Sequence, residues 1–240
     1  MEVELAKTAV VTGGSRGIGR AIVDSLAERG WSVISVARTH PTPSRSNVVC
    51  IAEDLATAEG AHRCLEAIQR RVDSLDLLVN NAGAIEADES VEGVSEETML
   101  RSWRLHVVTP LILTRGLAEA LGQAPHPSVV NVGSVYGRIV DPEVVAYGTS
   151  KCALDYLTGA LAAALAPAVR VNTVLPGHVD TDMTRGAPKE FVAEVCDQTP
   201  LHRLARAEEV VNAVLFLASG DASFITGASL RVDGGFRASP

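Results

Sequence analysis

Three polar side chains in the middle of the chain have the types and the spacing needed for acid–base chemistry. Tyr147 and Lys151 stand four residues apart, and Ser134 lies thirteen residues before the tyrosine. On a helix, residues four apart share one face, so the phenol and the ammonium group can reach each other. The charge of Lys151 is expected to lower the pKa of Tyr147 toward the range of a general acid or base, and Ser134 is placed to hydrogen-bond a carbonyl oxygen.

This spacing has little specificity alone, because any helix can present it. It indicates catalysis only if the rest of the chain also supplies a cofactor site. Thr12–Gly19 is a candidate cofactor loop, since its glycines follow a short apolar run and precede a helical pattern. Such glycines permit a tight turn and close approach to a pyrophosphate, which the helix N-terminus attracts; a plain strand-to-helix turn is the alternative. The loop residues predicted to bind a dinucleotide are Gly13, Ser15, Arg16, Gly17, Ile18 and Gly19.

The end of the second apolar run indicates which dinucleotide would bind. An acidic residue there normally binds the ribose 2′-hydroxyl of NAD, but here Ala37 is followed by Arg38. Together with Arg16, this arginine favours the 2′-phosphate of NADP(H) over NAD(H). The alternative is that both arginines are ordinary solvated surface residues.

The elements that position these residues follow from the hydrophobic pattern, in which short apolar runs alternate with longer helical segments. The predicted strands are Thr8–Thr12, Ser32–Ala37, Val48–Ala52, Leu75–Val79, Val129–Val132, Val169–Leu175 and Ser229–Val232. The predicted helices are Ile18–Arg29, Ala58–Val72, Glu96–Leu121 (interrupted or bent near Pro110) and Val145–Leu165. A loop with Pro41 and Pro43 follows the second strand. The pattern predicts a single doubly wound, Rossmann-type α/β domain over residues 1–240, with a seven-stranded parallel sheet and helices on both faces.

Composition and charge disfavour several classes of function. The chain has 240 residues, 47% of them hydrophobic, and a formal net charge of -8 without a basic block, so neither nucleic acid nor an anionic membrane is an expected partner. Met1–Leu5 lacks the features of a signal peptide, and no apolar stretch is long enough to cross a bilayer, so a cytoplasmic location is expected. The four cysteines show no zinc-ligand spacing, so no metal is expected.

Further motifs follow in an order that resembles the short-chain dehydrogenase/reductase family, over essentially the whole chain. The resemblance rests on Thr12–Gly19, Asp54-Leu55, Asn80-Asn81-Ala82-Gly83, Ser134, Tyr147 with Lys151, Pro176-Gly177, Val179-Asp180-Thr181 and Asp233-Gly234-Gly235. Residues 203–210 and 225–227 are similar to segments of the 3-oxoacyl-[acyl-carrier-protein] reductase type.

The resemblance implies an NADPH-dependent oxidoreductase that reduces a ketone or 3-oxoacyl carbonyl to an alcohol. Tyr147 would donate the proton, Lys151 would lower its pKa and bind the nicotinamide ribose, and Ser134 would hold the carbonyl. The implied cofactor contacts are Asp54 and Leu55 at the adenine, Asn80, Asn81, Ala82 and Gly83 after the fourth strand, and Val179 and Thr181 at the carboxamide, preceded by Pro176 and Gly177.

The resemblance also implies a small-molecule substrate, a mobile lid and a homo-oligomer, either a tetramer or a dimer. The lid would span about residues 182–204, and its apolar residues either touch the substrate or pack on the body: Met183, Phe191, Val192, Val195 and Leu201. A small-residue face on the helix of Tyr147 suits either subunit association or packing on the sheet: Gly159, Ala160, Ala162, Ala163 and Ala164. Fatty acyl thioesters, polyketides, steroids and small ketones all remain open as substrates.

One position departs from the family pattern. The family usually has an asparagine on the long helix, thought to hold a water in a proton relay to the lysine, where this chain has His106. A histidine can also hydrogen-bond a water and titrates near neutrality, so His106 is either a relay group or the replacement of a structural bond. The alternative function is a non-catalytic NADP-binding sensor or scaffold. An enoyl reductase fits less well, because in that relative six residues usually lie between the tyrosine and the lysine, whereas three lie between Tyr147 and Lys151.

Overall fold

The strand order of the sheet reverses between its first and fourth strands. The structure, a computed structural model that describes residues 6–39 and 45–237, has seven parallel strands in the order β3-β2-β1-β4-β5-β6-β7. Their bounds are β1 (Thr8–Thr12), β2 (Ser32–Ala37), β3 (Val48–Ala52), β4 (Leu77–Asn80), β5 (Ser128–Val132), β6 (Arg170–Pro176) and β7 (Ser229–Val232). The chain leaves β1 and β4 toward opposite halves of the sheet, which opens a crevice at the carboxyl ends of the strands.

The strands are apolar because helices cover both faces of the sheet. Alternate residues of β1 enter different cores: Val11 packs with Ile22 on one face, and Val10 packs with Ile68 on the other. The helices are α1 (Gly17–Glu28), α2 (Ala58–Gln69), α3 (Glu96–Trp103), α4 (Thr109–Gly116), α5 (Ala118–Gly122), α6 (Val145–Leu165), α7 (Asp182–Arg185), α8 (Lys189–Asp197) and α9 (Ala207–Ala218). The predicted single α/β domain with a parallel sheet and helices on both faces is therefore confirmed.

The predicted helix Glu96–Leu121 is the largest departure from the sequence pattern. A π-helical turn over Arg104–Val108 follows α3, and α4 and α5 continue from it. Pro110 lies in the first turn of α4, where its missing N–H would have no partner, so the irregular turn comes before the proline rather than at it. His106 lies within the π-helical turn and is 1% exposed.

Other differences concern element ends and segments left unassigned. The predicted helix Ala58–Val72 ends at Gln69, and β4 begins at Leu77 rather than Leu75. Helix α9 had not been predicted. Met1–Leu5 and the loop prolines Pro41 and Pro43 lie outside the described residues. In the described part of the chain, no helix combines the length and the apolarity needed to cross a membrane.

Candidate active site

A cavity of about 740 Å³ occupies the crevice at the carboxyl ends of the strands. Almost all of the residues singled out from the sequence lie on its wall: Gly13, Ser15, Arg16, Gly17, Ile18, Gly19, Arg38, Asp54, Leu55, Asn81, Ala82, Gly83, Ser134, Tyr147, Lys151, Pro176, Gly177, Val179 and Thr181. Asn80 and His106 are not on this wall. The fold thus gathers segments that lie more than 150 residues apart into one site, as counted from the sequence.

The loop between β1 and α1 has a shape that only glycines permit. Gly13 has a φ of 70° in the left-handed region, and a Cβ on Gly19 would lie 2.2 Å from the carbonyl oxygen of Gly13. The N-terminus of α1 begins at Gly17, on the cavity wall. Open backbone beside free helix N–H groups is what a pyrophosphate needs, so these residues fit a dinucleotide cofactor.

Asn81 and Thr12 brace this loop against the end of β4. The Asn81 Nδ2 donates to the Thr12 carbonyl at 2.9 Å, and the Thr12 hydroxyl accepts from the backbone N–H groups of Asn81 and Ala82 at 2.9 and 3.0 Å. Asn80 requires a correction, because the sequence motif placed it beside the cofactor. Its side chain is buried and donates to Asn131 Oδ1 at 2.8 Å, so it joins two strands inside the sheet.

The part of the cavity beside the ends of β1 and β2 carries two uncommitted guanidinium groups. Arg16 and Arg38 are exposed on the wall, and neither forms an ion pair with any residue that the structure describes. Asp54 is engaged differently: its Oδ1 accepts from the backbone N–H of Ala56 at 3.0 Å, and its Oδ2 lies 3.5 Å from Arg101. Two free cations therefore stand where an added phosphate group would find positive charge.

Ser134, Tyr147 and Lys151 meet on the wall beside the phosphate loop. Ser134 precedes a short turn at the end of β5, and its hydroxyl accepts from the backbone N–H of Tyr136 at 3.2 Å and faces the same cavity as Tyr147. Helix α6 carries the other two residues, and Lys151 Nζ lies 5.5 Å from the centroid of the tyrosine ring. The Lys151 ammonium group is 3% exposed and donates to the Val132 carbonyl at 2.8 Å. The structure brings these three side chains to one wall of the cavity.

Burial reverses the expected direction of the tyrosine pKa. Desolvation raises the pKa of Tyr147; the Ser134 hydrogen bond lowers it, whereas the charge of Glu89 raises it further. Desolvation also lowers the pKa of Lys151 to about 7. The raised pKa of Tyr147 is opposite to the direction expected from its spacing to Lys151, and it keeps the phenol protonated as an acid.

His106 uses both ring nitrogens to hold other segments. Its Nδ1 lies 2.8 Å from the hydroxyl oxygen of Ser150, which donates its own hydrogen to the Tyr147 carbonyl at 2.7 Å. The hydroxyl must therefore accept from Nδ1–H, which leaves Nε2 to accept from the backbone N–H of Ala84 at 3.3 Å. Burial, followed by the charge of Lys151, holds the pKa of His106 well below its usual range, so the ring is neutral.

Glu89 is a buried residue of this site that sequence reasoning missed. Its carboxylate is 3% exposed and accepts from the backbone N–H of Tyr147 at 2.7 Å and of Glu86 at 2.8 Å. It thereby ties the first turn of α6 to the loop after β4. The two partners are 58 residues apart, and only the favourable effect of an acid at a helix N-terminus hinted at such a contact.

Comparisons with known proteins agree with this geometry. The family profile described as Enoyl-(Acyl carrier protein) reductase matches residues 13–237. The 3-oxoacyl-[acyl-carrier-protein] reductase of Escherichia coli is 34% identical over 239 residues, which cover 95% of this chain and 96% of that protein.

Two solved structures are similar over almost their whole length. L-sorbose reductase from Gluconobacter frateurii, complexed with NADPH and L-sorbose, has a TM-score of 0.89 at 29% identity and covers 98% of each chain. A 4-hydroxyisoleucine dehydrogenase complexed with NADH has a TM-score of 0.90 at 27% identity, covering 98% of this chain and 100% of that one. Nicotinamide dinucleotides of both kinds thus occur among similar proteins.

Proposed function

Because the chain belongs to the short-chain dehydrogenase/reductase family of nicotinamide-dependent oxidoreductases, we propose that it reduces a carbonyl compound to an alcohol with NADPH. The observation that carries this proposal is the meeting of Ser134, Tyr147 and Lys151 on the wall of the cavity that also holds the glycine loop. A sensor would need the loop but not the three polar side chains. Tyr147 and Lys151 at a spacing of four also favour a carbonyl reductase over an enoyl reductase.

The reaction divides between the cofactor and the chain. When bound, the cofactor supplies the hydride for the carbonyl carbon. Ser134 holds the carbonyl oxygen by a hydrogen bond, and Tyr147 gives its phenolic proton to that oxygen as negative charge develops there. Lys151 then stabilises the phenolate by its charge and donates a hydrogen bond to the nicotinamide ribose. The raised pKa of Tyr147 suits this direction, because the residue enters the reaction as an acid.

The choice of NADPH over NADH rests on Arg16 and Arg38. Both stand at the end of the cavity expected to hold the adenosine ribose, and the strand β2 ends without an acid. A 2′-phosphate would form charge-assisted hydrogen bonds with these guanidinium groups, while NADH would offer them nothing comparable.

A panel of ketones, 3-oxo esters, aldehydes and acyl thioesters, assayed with NADPH and NADH, tests the proposal through the absorbance of the reduced cofactor. We expect carbonyl-dependent oxidation of NADPH, with kcat/KM at least about tenfold above that for NADH. Arg38→Leu should remove most of this preference, whereas Arg29→Leu, a matched exposed arginine at the end of α1, should keep it. Tight cofactor binding without any oxidation would favour the sensor, and a preference for NADH would refute the role of the two arginines.

For His106 we propose a holding role rather than a place in a proton relay. In His106→Phe, the N–H of Ala84 and the hydroxyl of Ser150 each lose a partner, so the free energy of unfolding should fall by about 2 kcal/mol. We expect kcat/KM to fall about tenfold with an unchanged pH profile, and His106→Asn to recover part of both losses. A lost or shifted limb in the pH dependence of kcat would support the relay instead.

The lid and the subunit association remain proposals. Within residues 182–204, Met183 and Phe191 line the cavity, whereas Val195 is 4% exposed and packs with Val135 and Phe236 on the body. We propose that α7 and α8 form the lid over the substrate.

On α6, Ala162 packs in the core, while the other small residues of the proposed association face are exposed: Gly159, Ala160, Ala163 and Ala164.

A further inference from the structure

Beyond Tyr147, the cavity carries polar side chains that the proposed reaction does not use. We call Tyr136, Asp141 and His178 the recognition wall, since all three line the cavity. The Tyr136 hydroxyl oxygen lies 3.1 Å from His178 Nε2, and the imidazole packs edge-on against Phe191 of the proposed lid at 5.6 Å between ring centroids. The wall therefore lies between the proton donor and the lid, where a substrate would extend.

The hydrogen bond within this wall leaves the Tyr136 hydroxyl free to donate. His178 Nδ1 is buried and has no hydrogen-bond partner in the part of the chain that the structure describes. An unpaired buried N–H is rarer than an unpaired buried acceptor, so the proton belongs on Nε2. The imidazole then donates to the tyrosine oxygen, and the Tyr136 O–H points its hydrogen to another acceptor. Burial, with a smaller contribution from Arg237, lowers the pKa of His178, so the ring brings no charge at neutral pH.

Negative charge surrounds this donor. Asp141 and Glu143 line the cavity, and within the described ranges neither forms an ion pair. Arg101, which also lines the cavity, is committed to Glu86 at 3.0 Å and Asp54 at 3.5 Å.

The remaining cations lie elsewhere. Arg16 and Arg38 stand beside the phosphate loop, and the Lys151 ammonium group donates to a backbone carbonyl. Arg237 is not on the cavity wall, although its charge lowers the pKa of both Tyr136 and His178: it stacks on Phe236 and donates to Gln198 at 2.9 Å. A carboxylate or phosphate beyond Tyr147 would therefore meet Asp141 and Glu143 on the wall, and among the described residues no cation free of an ion pair lines the wall beside them.

We propose that the substrate is an uncharged carbonyl compound with a second oxygen acceptor, which Tyr136 binds while Ser134 and Tyr147 act on the reacting carbonyl. This inference rests on the proposed function, because it assigns the substrate of the same site. It disfavours free carboxylates and thioesters of phosphate-bearing carriers. The chemical class is that of 3-oxo esters and hydroxy ketones.

Three methyl ketones test the inference with NADPH. Ethyl acetoacetate offers an uncharged second acceptor, acetoacetate offers an anionic one, and 2-heptanone offers none. We expect kcat/KM to be at least about tenfold higher for the ester than for acetoacetate. Asp141→Asn removes a negative charge from the wall and should therefore reduce that ratio several-fold. The asparagine keeps an oxygen that can accept from the Glu143 N–H, as Asp141 Oδ1 does at 3.0 Å. Glu119→Gln removes the same charge from an exposed position of α5, which lies at the amino ends of the strands, away from the cavity, and should leave the ratio unchanged.

Tyr136→Phe separates the hydrogen bond from the intrinsic reactivity of each probe. The variant should lose about fivefold more kcat/KM with the ester than with 2-heptanone, because only the ester loses a donor. A preference for acetoacetate, or equal losses for the ester and the ketone, would overturn the substrate assignment and leave the proposed function standing. If no carbonyl compound of any charge is reduced, the proposed function fails and the assignment fails with it.

Discussion

Replacing Tyr147 with phenylalanine is expected to lower kcat/KM for carbonyl reduction by about 10³-fold, the range of a lost general acid. The substitution keeps the ring on α6 and removes the hydroxyl that is proposed to donate the proton. Without that proton, negative charge would develop on the carbonyl oxygen with only the serine to stabilise it. The loss should appear mainly in kcat, because the interaction strengthens in the transition state. Initial rates with the best compound of the panel measure it directly.

Tyr156 provides a matched control for this substitution. It lies on the same helix nine residues further on, and 84% of its surface is exposed. Tyr156→Phe should keep the wild-type rate, and both variants should unfold at similar temperatures. A Tyr147→Phe enzyme that retained more than a tenth of the activity would refute the assignment of the proton donor.

The fold was predictable because its strands are buried on both faces. A run such as Thr8–Thr12 has no polar interruption, and this left little choice about where the strand begins and ends. The end of α6 was also readable, since a proline follows Leu165 closely. Helix α9 was not predicted, although Val210, Val211, Val214 and Leu217 recur at the spacing of one buried helix face.

The finer structure of the site was less accessible, for three physical reasons. Asn80 and Asn81 are adjacent in one motif, yet successive side chains of an extended segment point to opposite sides, so only Asn81 braces the phosphate loop. Glu89 binds the backbone of Tyr147, 58 residues further along the chain, and no local sequence pattern predicts a contact between residues so far apart. The pKa of Tyr147 was misjudged because spacing indicates a neighbouring charge but not the desolvation that outweighs it.

Lys151 should combine an essential role in the reaction with a cost in stability. Lys151→Met fills the same space without a charge, and kcat/KM is expected to fall by about 10²-fold or more, because no cation then stabilises the phenolate. Burial lowers the pKa of this lysine from 10.5 to about 7. Such a shift corresponds to about 5 kcal/mol of unfavourable charge burial at about 1.4 kcal/mol per pH unit. The Val132 carbonyl loses its donor in the variant, which offsets about 1–3 kcal/mol of the gain.

The pH dependence of unfolding gives this prediction its sign. Below about pH 7 both the folded and the unfolded wild-type chains carry the charged lysine, so the folded protein bears the full cost of burial. Between about pH 7 and 10.5 the unfolded chain binds the proton and the folded chain does not, so wild-type stability from this group rises with pH. Urea unfolding at pH 6 should therefore find Lys151→Met more stable than wild type by on the order of 2 kcal/mol, and at pH 9.5 the advantage should disappear. Lys189→Met, a change at an exposed lysine of α8, should show no such pH dependence of its stability relative to wild type. If the stability difference between Lys151→Met and wild type is the same at both pH values, the Lys151 ammonium group is not desolvated in the folded protein.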